Sequence, residues 1–211
     1  MVTEILKAKE HIVMNRIMRL QQQVEYIREI DKLKSVLRQS LLMDASRQEN
    51  DAEHTWHLAV MAVLLQEYAK EPLSDMTRIL KMLLIHDIVE IDAGDTFAYD
   101  DKGYLDKRER EERAANRIFG LLPGDQKEEM LALWEEFESE STAESRYAAA
   151  IDRLQPLLHN YYTEGAAWRK HGVKSSQVLN RIAKLREVVP ELHEYASGLI
   201  QDAVSQGYLA E

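Results

Sequence analysis

Ionisable side chains follow directly on an apolar stretch at residues 82–95, MLLIHDIVEIDAGD. The four apolar residues 82–85 lead into His86 and Asp87, and Glu90 follows one helical turn later. Residues three or four positions apart lie on the same side of a helix. Burying such groups is costly unless they are paired or bound to a metal ion. A hydrogen-bonded core histidine is the competing interpretation, and this string alone does not decide between the two.

Two other segments carry side chains of the same kinds. RQENDAEHTWH, residues 47–57, places His54 and His57 three positions apart, and YAAAIDRLQPLL places Asp152 among apolar residues. Each alone is also typical of a boundary histidine or of an aspartate bonded to a neighbouring helix. Together with residues 86–87 they form a pattern of a histidine, a His-Asp pair and a distant aspartate.

This set of two imidazoles and two carboxylates predicts a metal site. Mixed nitrogen and oxygen ligands suit Mn²⁺, Co²⁺, Fe²⁺, Ni²⁺ or Zn²⁺, in preference to Mg²⁺. The set leaves coordination positions open for water and substrate, as a catalytic site requires. We therefore expect one divalent transition-metal ion as the cofactor.

The order of His54, His86-Asp87 and Asp152 resembles the H…HD…D signature of the HD-domain metal-dependent phosphohydrolases. The strings EHTWHLA, HDIVEIDAGD and AIDRLQP, with LKSVLRQ upstream, are most similar to the 5′-deoxynucleotidase-like branch. That branch is all-helical and commonly dimeric. The resemblance spans residues 21–209 and implies that these four side chains are the metal ligands.

The resemblance also implies roles for neighbouring residues. Glu90 and Asp95 match acidic residues that position or activate the attacking water at the substrate phosphate, so we expect both to be catalytic. Arg47 and Arg38 are expected to bind the substrate, Arg47 through its guanidinium fork. A surface salt bridge with Glu49 or Asp51 is the alternative for Arg47.

One departure concerns the sugar. Bacterial enzymes of this branch carry an Arg-Trp pair upstream of the first ligand that senses the sugar, whereas this chain reads Arg38-Gln39-Ser40-Leu41. The resemblance therefore implies the metal chemistry but not selectivity for deoxyribose.

The expected activity is metal-dependent hydrolysis of a phosphate monoester, a nucleoside 5′-monophosphate in the first place. One alternative keeps the chemistry but changes the substrate to a cyclic nucleotide, a nucleoside triphosphate or a guanosine polyphosphate. Another is a non-catalytic helical dimer that binds a metal or a nucleotide. The chain has no cysteine and no G-x-S-x-G, H-E-x-x-H or P-loop motif, which disfavours other hydrolytic mechanisms.

Composition limits the partners. The 37 acidic and 27 basic side chains give a net charge of −10, which argues against a nucleic-acid partner. No apolar run approaches the ~20 residues of a membrane helix, and the first residues do not resemble a signal peptide. We expect a cytoplasmic protein without a membrane partner.

Few breaks interrupt the helical spacing of apolar residues, since the chain has only 8 Gly and 4 Pro. We expect an all-α fold, a single HD-domain bundle of about seven to nine helices without a sheet. The expected domains are a helical extension over 1–20 and the HD domain over 21–211. Expected helices cover 3–38, a segment capped by Asp51, 74–91 capped by Ser74, 107–119, 125–138, 142–163, 175–188 and 190–206, with a loop over 95–106. The first helix and segment 175–206 could form a homodimer interface or close the chain's own core.

Overall fold

The computed structural model describes residues 2–100 and 102–211, with side chains from residue 13 onward. Most of that part of the chain is helical, as expected. The helices are α1 Val2–Ile30, α2 Asp51–Leu65, α3 Met76–Ile85, α4 Glu90–Ala93, α5 Lys107–Phe119, α6 Gly124–Ser139, α7 Ala143–Tyr162, α8 Ala166–His171, α9 Ser175–Ile182, α10 Leu185–Val188 and α11 Pro190–Ser205. None of them is long and apolar enough to cross a membrane.

The expectation of no sheet was wrong. Strands β1, Leu37–Leu41, and β2, Gln48–Asn50, pair antiparallel, with Leu37 opposite Asn50 and an irregularity in register further along. The first helix accordingly ends at Ile30 and not at residue 38. The five residues of β1, LRQSL, do not alternate between apolar and polar types, and β2 has only three residues, so neither strand shows the alternation by which strands are recognised in a sequence.

The segment that carries the His-Asp pair is not one continuous helix. α3 ends at Ile85, a tight 3-10 turn covers His86–Val89, and α4 follows. Gly94 ends α4 with a positive φ of 75°, at the position expected for such a glycine. A 3-10 stretch within a helix often marks a functional site.

Two helix caps lie one residue from their expected positions. Asn50 caps α2, accepting from the Glu53 backbone N–H while the Glu53 side chain accepts from Asn50, and Asp75 caps α3 in place of Ser74. Asp51 is therefore the first residue of α2, and its side chain is free for other contacts.

α7 runs through the middle of the core. It packs against α2, α3, α6, α9 and α11, and Tyr147, Ile151 and Leu154 on it are buried. Each such side chain contributes about 1.5–3 kcal/mol on burial, so the position of α7 is strongly fixed. Asp152 lies on this helix.

The C-terminal region differs in detail from expectation. α8 was not expected, and the helix expected over 175–188 is divided into α9 and α10. Gly165 precedes α8 with φ +73°, and a Cβ there would lie 1.9 Å from the carbonyl oxygen of Tyr208. The apolar faces of α9 and α11, including Val178, Ile182 and Ile200, are buried within the chain itself.

Candidate metal centre and active site

His86 lies on the 3-10 turn, with one ring nitrogen fixed and the other facing carboxylates. Its Nδ1 lies 2.9 Å from the carbonyl oxygen of Leu83, which can only accept, so Nδ1 carries a hydrogen. Its Nε2 lies 3.1 Å from Oδ1 of Asp87 and 3.7 Å from Oδ1 of Asp152. This buried nitrogen has no hydrogen-bond partner within the described part of the chain. An unpartnered imidazole nitrogen beside two carboxylates suits a bound cation.

His54 of α2 lies close to the same two carboxylates as His86. Its Nε2 lies 3.0 Å from Oδ1 of Asp152 and 3.8 Å from Oδ2 of Asp87. Ligand atoms of His54, His86 and Asp87 lie within 4.8 Å of one another. The structure thus brings together all four residues that the sequence indicated as ligands, and they could hold one metal ion.

Opposite charges dominate this cluster. Burial lowers the pKa of His54, but hydrogen bonds to Asp152 and Glu49 outweigh it and raise the pKa to about 9. Burial raises the pKa of Asp152, yet the two imidazoles hold it well below its usual range. The carboxylates are therefore ionised and ready to bind a cation.

A second group of carboxyls adjoins the first. Oxygens of Asp51, Asp87 and Glu90 lie within 4.8 Å of one another, and Oε2 of Glu90 is buried without a hydrogen-bond partner among the described residues. Burial, together with the charges of Asp87 and Asp51, raises the pKa of Glu90 well above its ordinary value. Burial also raises the pKa of Asp95, although Arg38 opposes this.

Arg38 of β1 neutralises part of this charge. Its Nη1 donates to Oδ2 of Asp87 at 2.9 Å and to Oδ1 of Asp51 at 3.0 Å. Arg38 was expected to bind substrate, and the structure places it against a candidate metal ligand. The β1–β2 sheet, which was not predicted from the sequence, thus positions the Arg38 guanidinium at the site.

These groups open into a cavity of about 240 Å³. Its wall includes every expected site residue except His54, which is fully buried behind it, and Arg47. The lining also includes cationic and aromatic side chains, namely Arg38, Lys107, Arg153, Arg181, Phe97, Tyr99, Tyr104 and Phe137.

Arg47 is not brought to this cavity. Its guanidinium forms a two-point ion pair with Glu53, at 2.8 and 2.5 Å, on the surface. Glu53 also accepts from the backbone of Asn50 at the start of α2. The salt bridge that is the alternative for Arg47 is therefore present, although with Glu53 and not with Glu49 or Asp51.

The loop that carries Asp95 is held by Arg110 of α5. Arg110 donates to the carbonyl oxygen of Ala93, to Oγ1 of Thr96 at 3.2 Å and to the carbonyl oxygen of Gly103 at 3.0 Å. These bonds connect residues 93, 96 and 103, on both sides of the loop, to one helix.

Sequence reasoning missed two residues of this region. Gln155 accepts from Nδ1 of His54 at 3.1 Å, and its spacing of three from Asp152 is the signal that would have found it. Arg181 of α9 lines the cavity, with Nη2 4.0 Å from Oδ2 of Asp152. No local pattern marks Arg181, because only the tertiary packing of α9 on α7 brings it there.

A family model described as "HD domain" matches residues 30–193. The chain belongs to the HD domain family. The matched range includes His86 and Asp87, which directly follow α3, and also His54 and Asp152, which lie close to them.

Curated relatives share part of the chain. Human 5′-deoxynucleotidase HDDC2 is 31% identical over 136 residues, which cover 64% of this chain and 65% of the human protein. The Bos taurus protein of the same name is 29% identical over 136 residues, covering 64% of each. The matched segment thus spans slightly less than two thirds of these relatives.

A solved structure is similar over nearly the whole HD domain chain. It is described as a "predicted metal-dependent phosphohydrolase" from Magnetospirillum magnetotacticum MS-1. It is 54% identical to this chain with a TM-score of 0.87, and the match covers 92% of this chain and 96% of that one.

Proposed function

We propose that this HD-domain chain is a metal-dependent phosphohydrolase that converts nucleoside 5′-monophosphates to nucleosides and inorganic phosphate. The observation that carries the proposal is the convergence of four side chains, His54, His86, Asp87 and Asp152, beside a cavity whose lining includes cations as well as carboxylates. The names of the human and Magnetospirillum relatives, a 5′-deoxynucleotidase and a metal-dependent phosphohydrolase, support it.

The donor set fits a divalent transition-metal ion. Two imidazoles whose Nδ1 atoms are engaged elsewhere present Nε2 beside two ionised carboxylates. Such a set favours Mn²⁺, Co²⁺, Fe²⁺, Ni²⁺ or Zn²⁺ over Mg²⁺. When bound, such an ion supplies Lewis-acid polarisation of a phosphoryl oxygen.

Glu90 and Asp95 transfer the protons in the proposed reaction. Water attacks phosphorus while Glu90 accepts the proton that the water loses, and the bond from phosphorus to the 5′ oxygen breaks. Asp95 donates a proton to that leaving oxygen. Their raised pKa values make Glu90 a stronger base than an ordinary glutamate and keep the proton on Asp95 to a higher pH than on an ordinary aspartate.

Cations at the cavity offset the phosphate charge. In the described chain, three of the lining cations have a carboxylate within 3.0 Å: Arg38 with Asp87 at 2.9 Å, Lys107 with Glu111 at 2.9 Å, and Arg153 with Glu140 at 2.5 Å. Among the described residues, the ion-pair contact of Arg181 is longer, with Nη2 4.0 Å from Oδ2 of Asp152. Arg181 is therefore the lining cation with most capacity for a substrate phosphate.

Aromatic side chains of the 95–106 loop suit a nucleobase. Phe97 and Tyr99 form an edge-to-face pair with centroids 5.3 Å apart, and Tyr104 lines the same cavity. Flat ring faces bind planar ligands by stacking. Gln39 follows Arg38 and also lines the cavity, so the proposal covers both 2′-deoxy and ribo 5′-monophosphates.

A phosphate-release screen tests the proposal. Metal-stripped protein is reloaded with Mn²⁺, Co²⁺, Ni²⁺, Zn²⁺ or Mg²⁺ and offered 2′-deoxy and ribo 5′-monophosphates, with cyclic nucleotides and triphosphates as competitors. We expect release from the monophosphates that is lost in Asp87→Ala. Release only from the cyclic nucleotides or triphosphates would show that one of these, and not a monophosphate, is the substrate. No release despite tight metal binding would favour the non-catalytic alternative.

We further propose that the protein acts as a homodimer through α1 and α2. From residue 13 onward α1 exposes apolar side chains, among them Met14 at 57% and Ile27 at 60%, and α2 exposes Trp56 at 65% and Leu64 at 66%. Large exposed apolar patches commonly mark protein interfaces. Light scattering at several concentrations tests this, and a monomer throughout would contradict it.

A further inference from the structure

We propose that Gln155 is a positioning residue that fixes which ring nitrogen of His54 carries the hydrogen. The inference rests on the proposed metal centre and concerns a set of buried polar residues behind it, away from the cavity. These residues form a chain of hydrogen bonds from the backbone of β1 to Nδ1 of His54, the ring nitrogen that faces away from the proposed metal centre.

The chain begins at His159 of α7. Its Nδ1 lies 2.8 Å from the carbonyl oxygen of Leu41, and a carbonyl oxygen can only accept. Nδ1 of His159 therefore carries the hydrogen. Burial lowers the pKa of this imidazole, so Nε2 is left as an acceptor.

The amide of Gln155 is oriented by two acceptors. Its Nε2 lies 2.7 Å from Oε1 of Glu49 and 3.0 Å from Nε2 of His159. Only the NH₂ end of an amide can donate to both of these atoms. The amide oxygen of Gln155 must therefore point the other way, toward His54.

This orientation determines the tautomer of His54. Oε1 of Gln155 lies 3.1 Å from Nδ1 of His54, so Nδ1 must be the donor. Nε2, 3.0 Å from Oδ1 of Asp152, faces the proposed metal centre and is the nitrogen that gives up its hydrogen when a cation binds there. Asp152 and Gln155 are three residues apart, so α7 contacts both nitrogens of the buried ring.

The consequence is that Nδ1 keeps its hydrogen and Nε2 is the nitrogen that becomes free for the ion. Without the Gln155 acceptor, Nδ1 would keep only a longer contact to Oε2 of Glu49, at 3.7 Å, and the ring would be held less firmly with Nε2 toward the ion. Partners that orient a ligating histidine in this way typically contribute about 10–100-fold in metal affinity.

Metal affinity measured by chelator competition, with Zn²⁺ as the probe, tests this role. Gln155→Met keeps the approximate length of the side chain and removes both ends of the amide; we expect Zn²⁺ affinity to fall about 10–100-fold. Tyr147→Phe is the matched control, because it removes a buried hydrogen bond of 2.9 Å, to Ala62, on the same helix. Its affinity should equal that of the wild type.

A second measurement does not depend on the variant folding. Nitrogen-15 NMR of the imidazoles in the Zn²⁺-loaded wild type should show His54 protonated at Nδ1 and coordinated through Nε2. Coordination through Nδ1 would overturn the proposal, as would an unchanged affinity in a folded Gln155→Met protein. Failure of the wild type to bind Zn²⁺ would instead refute the metal centre itself, and the inference with it.

Discussion

Asp152 and His54 are 98 residues apart in the sequence, and Oδ1 of Asp152 lies 3.0 Å from Nε2 of His54. The same oxygen lies 3.7 Å from Nε2 of His86. One carboxylate of α7 thus faces imidazoles from two other segments. The three segments meet where α7 passes through the core, so the geometry of the site depends on core packing.

Removal of this carboxylate should abolish metal binding. Binding of an ion at 100 times its Kd stabilises a folded protein by about 2.7 kcal/mol. We expect Mn²⁺ to raise the Tm of the wild type and to leave the Tm of Asp152→Ala unchanged, as measured by differential scanning fluorimetry. An equal rise in both proteins would place the ion elsewhere.

Glu90→Gln should separate binding from turnover. The substitution keeps the size of the side chain but removes the proton acceptor, and a general base contributes about 10²–10⁴-fold to a rate. We expect Mn²⁺ affinity close to that of the wild type and a fall in kcat of that order. Glu109→Gln, at an exposed carboxyl of α5, is the control. Full activity in Glu90→Gln would remove this residue from the mechanism.

Two arginines should behave differently. Arg181 lines the cavity, whereas Arg47 is paired with Glu53 on the surface. A charge-assisted hydrogen bond to a phosphate corresponds to about a tenfold change in KM, and we expect that increase in Arg181→Ala. Arg47→Ala should leave KM unchanged. Steady-state kinetics of the two variants would contradict the assignment if their effects were reversed.

Two glycines with positive φ should differ in their tolerance of a side chain. Gly172 has φ +64° with open space around it, so Gly172→Ala should cost about 1–2 kcal/mol of conformational strain. Gly165 has a similar φ, but a Cβ would also meet the backbone of Tyr208 at 1.9 Å. Overpacking adds about 1–3 kcal/mol. Chemical denaturation should therefore show a larger loss of stability for Gly165→Ala, and equal losses would contradict this.

The sequence was sufficient to predict which four side chains lie together, because the candidate residues stand in short, recognisable strings. His86, Asp87 and Glu90 lie within five consecutive residues, and their place beside an apolar run is in itself an indication of burial. Long helices such as α5 and α7 were predicted to within about two residues because their apolar spacing is regular.

The remaining features depend on contacts that no local pattern records. The β1–β2 pair exists because residues 37–41 and 48–50 meet across a tight turn, in which Leu42 donates to the carbonyl oxygen of Arg47 at 2.9 Å. Arg181 reaches the cavity only through the packing of α9. Arg47 was assigned to the substrate by its position before the first ligand, but a carboxylate six residues away holds it at the surface.

The proposed metal centre is tested most directly by measuring how phosphate release depends on the number of metal ions bound per chain. Mn²⁺ is titrated into metal-free protein in the presence of a 2′-deoxynucleoside 5′-monophosphate, and the initial rate is recorded. We predict no release without metal, a rise with each addition, and a plateau at one ion per chain that Asp152→Ala does not reach. Release that is independent of added metal, or a titration unchanged by Asp152→Ala, would contradict the proposed centre.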